Sequence, residues 1–278
     1  MPFIVFGIIF GLISIIPIVM RNNDKKRLAQ LVGSDKQKLG ELVPVLNETK
    51  ASLGDLGEDG AISENVTVMG NPKCEQPLKS PLGGVDCIYY KYVVKNIWTE
   101  HYSETDSNGN SVSRTRRHED TMDEGESCTP FILDDGTGSI KVDPVGGTFE
   151  GATKVVDRSE HSFNMNTAGN SITLGGWTIN LGGGGLFSNN HRPETVKYTE
   201  EVIAMSRPLT VVGNVCVKMG ELCLQNNGKT KVIISTKSAD EMVADAKKGI
   251  RNKAIGFVII AVLALICFIA GAVSLISG

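Results

Sequence analysis

Aromatic residues are scarce, 6% of the chain, and histidine occurs four times. So few rings argue against a surface built to stack nucleic-acid bases. An excess of one charge is also missing: 28 Lys and Arg against 31 Asp and Glu leave a net charge of −3. The chain is therefore no polycation, and nucleic acid is not an expected partner. The six cysteines include no Cys-x-x-Cys pair, which excludes the common zinc modules. His101, His118, His161 and His191 have no Cys, Ser or Asp partner at a recognisable catalytic spacing. No catalytic residue, metal or cofactor is expected.

What the chain does have is apolar sequence at both ends. Phe3–Met20 is an 18-residue run without a charge, and Ala254–Ile276 is a 23-residue run without one. A bilayer core needs roughly 20 helical residues, so both runs read as transmembrane helices, with Pro17 able to kink the first. Met1-Pro2 offers no positive n-region and nothing like Ala-x-Ala follows, so the first run reads as an anchor and not a signal peptide. Arg21, Lys25, Lys26 and Arg27 follow the first run, and Lys247, Lys248, Arg251 and Lys253 precede the second. The positive-inside rule then makes the lipid bilayer a partner and puts residues 21–253 in the cytoplasm of a prokaryotic cell. On that side Cys74 and Cys87 stay reduced.

Residues 21–57 read as a helical stem. Leu28, Leu31 and Val32 share a face, Ser34 and Gln37 form a capping box, Pro44 limits the next helix, and Leu42, Val43 and Leu46 pack it on the domain. Residues 58–237 read as a β domain. Val66 and Val68 alternate, as do Ile88, Tyr90, Tyr92 and Val94. Asn108-Gly109 marks the tip of a protruding arm, residues 87–126, with strands Cys87–Thr105 and Ser111–Glu126. Phe131–Leu133 and Ser139–Val142 make a second hairpin. Val211–Val215, Glu221–Leu224 and Lys231–Ser235 add strands. Residues 238–253 form a helix with a Ser238/Glu241 capping box, and the second span is residues 254–276. The fold class is a membrane protein, α+β, in which two transmembrane helices (the first at residues 3–20) flank a mainly β, OB-like small barrel with helical stems.

Asp134, Asp135 and Asp143 admit a hard-cation reading, but their spacing matches no known loop. They read instead as turn residues, with Gly136 and Gly138 at positive φ. On that reading, replacing Asp134 and Asp135 with Asn leaves folding nearly intact. Gly182–Gly185 lacks the Lys-Ser/Thr of a phosphate loop. Arg114, Arg116 and Arg117 sit among acidic residues, as on a solvated hairpin. Residues 164–190 are unusual. Ile172 and Leu174 alternate, Gly175-Gly176 turns, Trp177, Ile179 and Leu181 alternate, and Leu186-Phe187 follow the glycines. This Gly-rich segment either covers its own barrel or offers an apolar hairpin to the bilayer surface or, as favoured here, to a neighbouring copy.

Four sets of residues resemble the GIDE domain, also called the BAM domain, of the mitochondrial E3 ubiquitin ligase family and its prokaryotic relatives. Ser80-Pro81-Leu82 with Cys87-Ile88-Tyr89-Tyr90 is similar to the first family signature. Pro130-Phe131-Ile132-Leu133-Asp134-Asp135-Gly136-Thr137-Gly138, followed by Val142-Asp143-Pro144, is similar to the second. Tyr198-Thr199-Glu200-Glu201 with Leu209 to Gly213 is similar to the third, and Ile233-Ile234-Ser235 with Ser238 to Met242 to the end. The resemblance implies a membrane-flanked domain and an association with ubiquitin transfer. The ligases carry a RING, which needs Cys-x-x-Cys pairs, and these 278 residues contain none. The expected function is therefore a non-catalytic, membrane-anchored module that self-associates as a homo-oligomer or docks an unknown protein partner. The alternatives are a ubiquitin-ligase-type protein without its own RING and an OB-like nucleotide or oligonucleotide binder.

Overall fold

The computed structural model describes residues 15–53, 64–161, 166–168, 171–174, 177–180, 195–228 and 230–276. Among the described residues three helices, α1 (Ile15–Val32), α2 (Leu39–Leu53) and α3 (Ala239–Ile276), accompany sixteen strands. In chain order the strands begin with β1 (Asp35–Lys36), β2 (Glu64–Lys73), β3 (Leu78–Lys79), β4 (Asp86–Thr105) and β5 (Ser111–Cys128). Next come β6 (Phe131–Asp134), β7 (Ser139–Val142), β8 (Thr148–Glu150), β9 (Thr153–His161), β10 (Asn166–Ala168), β11 (Ser171–Leu174) and β12 (Trp177–Asn180). The last four are β13 (Thr195–Ala204), β14 (Leu209–Lys218), β15 (Glu221–Gln225) and β16 (Ile233–Ser235).

Strands β2, β6, β7, β15 and β14 close into a barrel, because β14 pairs back onto β2 from Leu209↔Gly70 to Val215↔Glu64. Taken in chain order the five run first, second, third, fifth, fourth, and only β7–β15 is parallel. This is the Greek-key order of a small OB-like barrel, and closure removes the sheet edges. Alternation explains the interior: Val66, Val68, Phe131, Leu133, Ile140, Val142, Val215 and Leu224 all point into one buried cluster. Helix α2 plugs this cluster with Leu39, Leu42 and Leu46, each no more than 4% exposed. Full burial of each such side chain is worth about 1.5–3 kcal/mol.

The second sheet runs β9–β13–β4–β5, all antiparallel, with β3 beside the start of β4. Its own core is Tyr92, Val94, Val156, Val196 and Tyr198. β4 and β5 pair from Tyr89↔Cys128 out to Thr105↔Ser111 in a long two-stranded hairpin. Asp106 closes the tip, accepting from Asn108 N and Asn110 N at 2.9 and 2.8 Å, and Gly109 has φ +83°. The second hairpin is β6–β7, as expected.

Several expectations are corrected. Ser34 does not cap α2; its hydroxyl donates to Leu31 O at 2.9 Å and lies 2.5 Å from Thr67 Oγ1, and the chain passes through β1 before α2 begins. Pro44 lies inside α2 and does not end it, because the leucines anchored in the barrel outweigh one lost backbone bond. Val32 is 65% exposed, so only Leu28 and Leu31 of the expected face pack inward. Strands β8, β9 and β13 were not foreseen. Of the two expected spans, only α3 is long and apolar enough among the described residues, and most of the first run, residues 3–14, lies outside them.

The helix expected before the second span is continuous with it in α3. The Ser238/Glu241 box caps its start, with Ser238 N donating to Glu241 Oε2 at 2.8 Å. Helix α1 runs antiparallel beside α3. Leu28 and Leu31 pack with Met242, Val243 and Ala246 against Val212 of the barrel wall and Ile233 of β16 beside it. Higher up, Lys253 Nζ meets Asp24 Oδ2 at 2.7 Å, and a Cβ on Gly249 would lie 2.9 Å from the same carboxylate. The helices therefore form a two-stranded neck.

Candidate functional site

The Asp-Gly-Thr-Gly turn between β6 and β7 is densely hydrogen-bonded. Asp135 Oδ1 accepts from Thr137 N, Thr137 Oγ1 and Gly138 N at 2.8, 2.7 and 2.9 Å. Its Oδ2 accepts from Leu39 N at 2.7 Å, while Gly40 N donates to Thr137 Oγ1 at 2.9 Å. The turn thus supplies the N-cap of α2 from a distant part of the chain, satisfying two amides that the helix cannot satisfy itself. Burial pushes the Asp135 carboxyl up, but the bonds from Leu39, Thr137 and Gly138 outweigh it and hold the group below its ordinary value. Gly136 has φ +82°, as expected. Gly138 does not have positive φ; it is glycine because a Cβ would meet Leu39 C at 3.0 Å and Gly40 N at 3.1 Å.

The neighbouring carboxylates are also in use. Asp134 takes Lys73 Nζ at 2.5 Å and Gly136 N at 2.7 Å. Asp143 takes Lys218 Nζ at 2.6 Å and Val145 N at 3.2 Å, and Pro144 beside it is buried. Each of the three acids faces its own lysine or backbone donors, so they do not converge on one point.

The Ser80-Pro81-Leu82 loop and the Tyr198–Glu201 segment meet at Glu200, which is 0% exposed on β13. Its carboxylate accepts from Ser80 Oγ at 2.8 Å, Leu82 N at 2.8 Å and Gly83 N at 2.7 Å. The Ser80-Pro81-Leu82 loop therefore closes over the sheet like a latch. A Cβ on Gly83 would sit 2.9 Å from Glu200 Oε2. Cys87, fully buried nearby, has its thiol pushed up to about 11 by burial, with the Glu200 charge adding to it. Cys74 and Cys87 are both free thiols. Tyr89 stacks on Phe149 at 3.9 Å between centroids, and Tyr90 lies tilted against Tyr92. Phe131 is buried in the barrel and Pro130 is exposed at its rim. Tyr198 is 5% exposed, and burial together with Glu160 raises its phenol to about 12. A Cβ on Gly213 would meet Val232 Cγ2 at 2.9 Å, so β14 needs glycine there.

The arm's arginines are occupied. Arg114 Nε lies 2.6 Å from Glu104, Arg116 stands 5.3 Å over the Tyr102 ring, and His118 stacks on Trp98 and meets Glu100 at 2.8 Å. In the Gly-rich segment the expected hairpin forms, with Ile172↔Ile179 and Leu174↔Trp177 in register. Leu181, Gly182–Gly185, Leu186 and Phe187 lie outside the described residues.

A groove of about 740 Å³ runs along the barrel rim beside α2, lined in part by Val43, Asn47, Lys73, Phe131, Lys141 and Glu221. Lys141 there pairs with Glu221 at 3.4 Å, and Lys73 with Asp134. Sequence reasoning missed Lys73, Gly83, Asp24 and Glu150, the last of which meets Arg27 at 2.5 Å. No local pattern marks any of them, since each acts on a residue far along the chain.

A family model described as GIDE: E3 Ubiquitin ligase matches residues 99–269, more than half of the chain. The match takes in the second and third signatures and most of α3, while Ser80 to Tyr90 precede it. No curated protein and no solved structure matches.

Proposed function

The chain belongs to the GIDE family, and from that premise we propose that it is a non-catalytic docking and assembly module held at a membrane by two helices. The observation that carries this reading is the use of the family signatures. Asp135 caps α2, Glu200 latches the Ser80 loop, and Asp134 and Asp143 bind lysines, so these carboxylates build a platform and are spent on its own donors. The platform stands on a neck whose upper α3 surface is apolar and bare. Ile255, Val258, Ile259, Val262, Leu265 and Ile266 are each at least half exposed, as suits contact with lipid. Helix α1 leads back toward the first apolar run, which would enter the bilayer beside α3, with the domain on the Lys/Arg-rich cytoplasmic side.

Self-association would use the hairpin of Ile172, Leu174, Trp177 and Ile179, continued by Leu181, Leu186 and Phe187. Anchored copies are confined to a plane, where weak lateral contacts suffice. The experiment takes the full chain in vesicles. Resistance to carbonate extraction tests the anchor, and light scattering after mild detergent tests assembly. Replacing Trp177, Ile179 and Phe187 with Ser should convert oligomer to monomer without unfolding. A wild type that is already monomeric removes the assembly half of the proposal.

The family description favours a second reading, in which the module serves ubiquitin transfer. A transfer assay with activating and conjugating enzymes separates the two readings. Ubiquitin chains formed by this chain alone would overturn the non-catalytic one.

A further inference from the structure

Eight basic residues flank the two apolar runs, but they do not do the same work. Arg27 is bound by Glu150 at 2.5 Å and Lys253 by Asp24 at 2.7 Å, so these two hold the neck together. Lys25, Lys26, Lys247, Lys248 and Arg251 are exposed, and none of the five makes an ion pair with a described residue. Lys248 lies in the field of Asp245, which is itself bonded to Lys237 at 2.6 Å. The remaining acids close by are committed elsewhere: Asp240 to Lys36 and Glu241 to the Ser238 cap.

Geometry gathers the five into a band. On α3, Lys247, Lys248 and Arg251 share one face by their spacing, opposite Met242, Ala246 and Gly249, which face the barrel or α1. Lys25 and Lys26 directly follow Asp24, which meets Gly249 and Lys253, so they stand at the same height on the other helix. At 1.5 Å per residue the band from Lys247 to Arg251 is about 6 Å deep. The polar layer of a bilayer is about 5–8 Å deep on each side. Three residues beyond Arg251 the uncharged run begins at Ala254, and Ile255 is already 52% exposed.

We propose that Lys25, Lys26, Lys247, Lys248 and Arg251 form a collar that binds the phosphate groups of anionic membrane lipids around the neck. The collar rests on the membrane reading given above. It adds that the protein selects its lipids and draws anionic ones to itself. Multiple cations held at headgroup depth by a stiff helix pair attract such lipids more strongly than a single flexible one, and salt weakens the attraction.

The test uses the full chain reconstituted in phosphatidylcholine vesicles with a trace of spin-labelled phosphatidylglycerol or spin-labelled phosphatidylcholine. The motionally restricted fraction of each label gives its relative association with the protein. The anionic label should associate about threefold or more better than the neutral one in low salt. Half-molar salt should erase most of that preference in the wild type. Lys25→Gln, Lys26→Gln, Lys247→Gln, Lys248→Gln and Arg251→Gln together should bring it to near parity, while the melting temperature stays unchanged. Equal association of the two labels with the wild type, or a preference that survives both salt and substitution, overturns the collar. Flotation after carbonate washing keeps the two ideas apart. Protein that floats but shows no preference loses only the collar, and protein that does not float loses the anchor and the collar with it.

Discussion

Asp135→Ala tests whether the turn between β6 and β7 is the N-cap of α2. The substitution removes the acceptor for Leu39 N, which caps α2, and the acceptors for Thr137 N, Thr137 Oγ1 and Gly138 N, which shape the turn. Loss of an N-cap side chain costs about 0.5–2 kcal/mol. Each turn bond adds about 1 kcal/mol at most, and less here because the turn is half open to water. The total is about 2–3 kcal/mol, which for a domain of this size lowers the melting temperature by about 5–10 °C. Asp135→Asn keeps one of the two oxygens and should fall between wild type and Ala, so replacing both Asp134 and Asp135 with Asn should cost stability and not leave folding intact. Thermal unfolding in detergent gives the size of the effect, and hydrogen exchange at Leu39 and Gly40 gives its place. The penalty also depends on pH. A carboxyl held below its ordinary value stabilises the fold above the unfolded value, and that contribution is lost as pH falls through the folded one. The gap between wild type and Asp135→Ala should therefore close below about pH 4. An Ala variant that melts within a degree of wild type, or one whose loss appears only with divalent cation present, would refute the capping argument.

The other predictions follow from single contacts. Gly138→Val should push α2 off the turn and cost about 1–3 kcal/mol by overpacking, read as a lower melting temperature, whereas Gly136→Val should act through its positive φ and leave α2 protected from exchange. Glu200→Leu leaves Ser80 Oγ, Leu82 N and Gly83 N without their acceptor and should cost about 2–4 kcal/mol, with faster proteolysis near Ser80; an unchanged domain would show that the latch is idle. Asp24→Lys should loosen the neck and Lys253→Asp should restore it in the double variant, a coupling measured by disulfide trapping between the two helices. Cys87 should resist alkylation at pH 8 in the folded protein, because its thiol is pushed up to about 11, and should react only on unfolding.

What could be read from sequence was what is local. The arm and the second hairpin declare themselves through Asn108-Gly109 and Asp134 to Gly138, because turn chemistry acts over a few residues. The start of α3 is legible for the same reason, its cap lying three residues from its partner. The cap of α2 was misread because a good local pattern, Ser34 with Gln37, is present, while the true acceptor Asp135 comes from a turn far along the chain. Strand β13 was hidden by its most informative residue. Val196, Tyr198, Glu200 and Val202 alternate inward, and a glutamate in third place breaks the apolar pattern that marks a strand. That same residue holds two family signatures together, so the break in the pattern was the signal. A charge at an interior strand position is costly unless bonded, and the one place it can be bonded is a loop rich in backbone donors such as Ser80 to Gly83. The signatures are thus spaced along the chain by the demands of one platform. The turn fixes α2 in the barrel, the latch fixes the sheet, and Val212 of the barrel wall seats the neck through Leu31 and Met242.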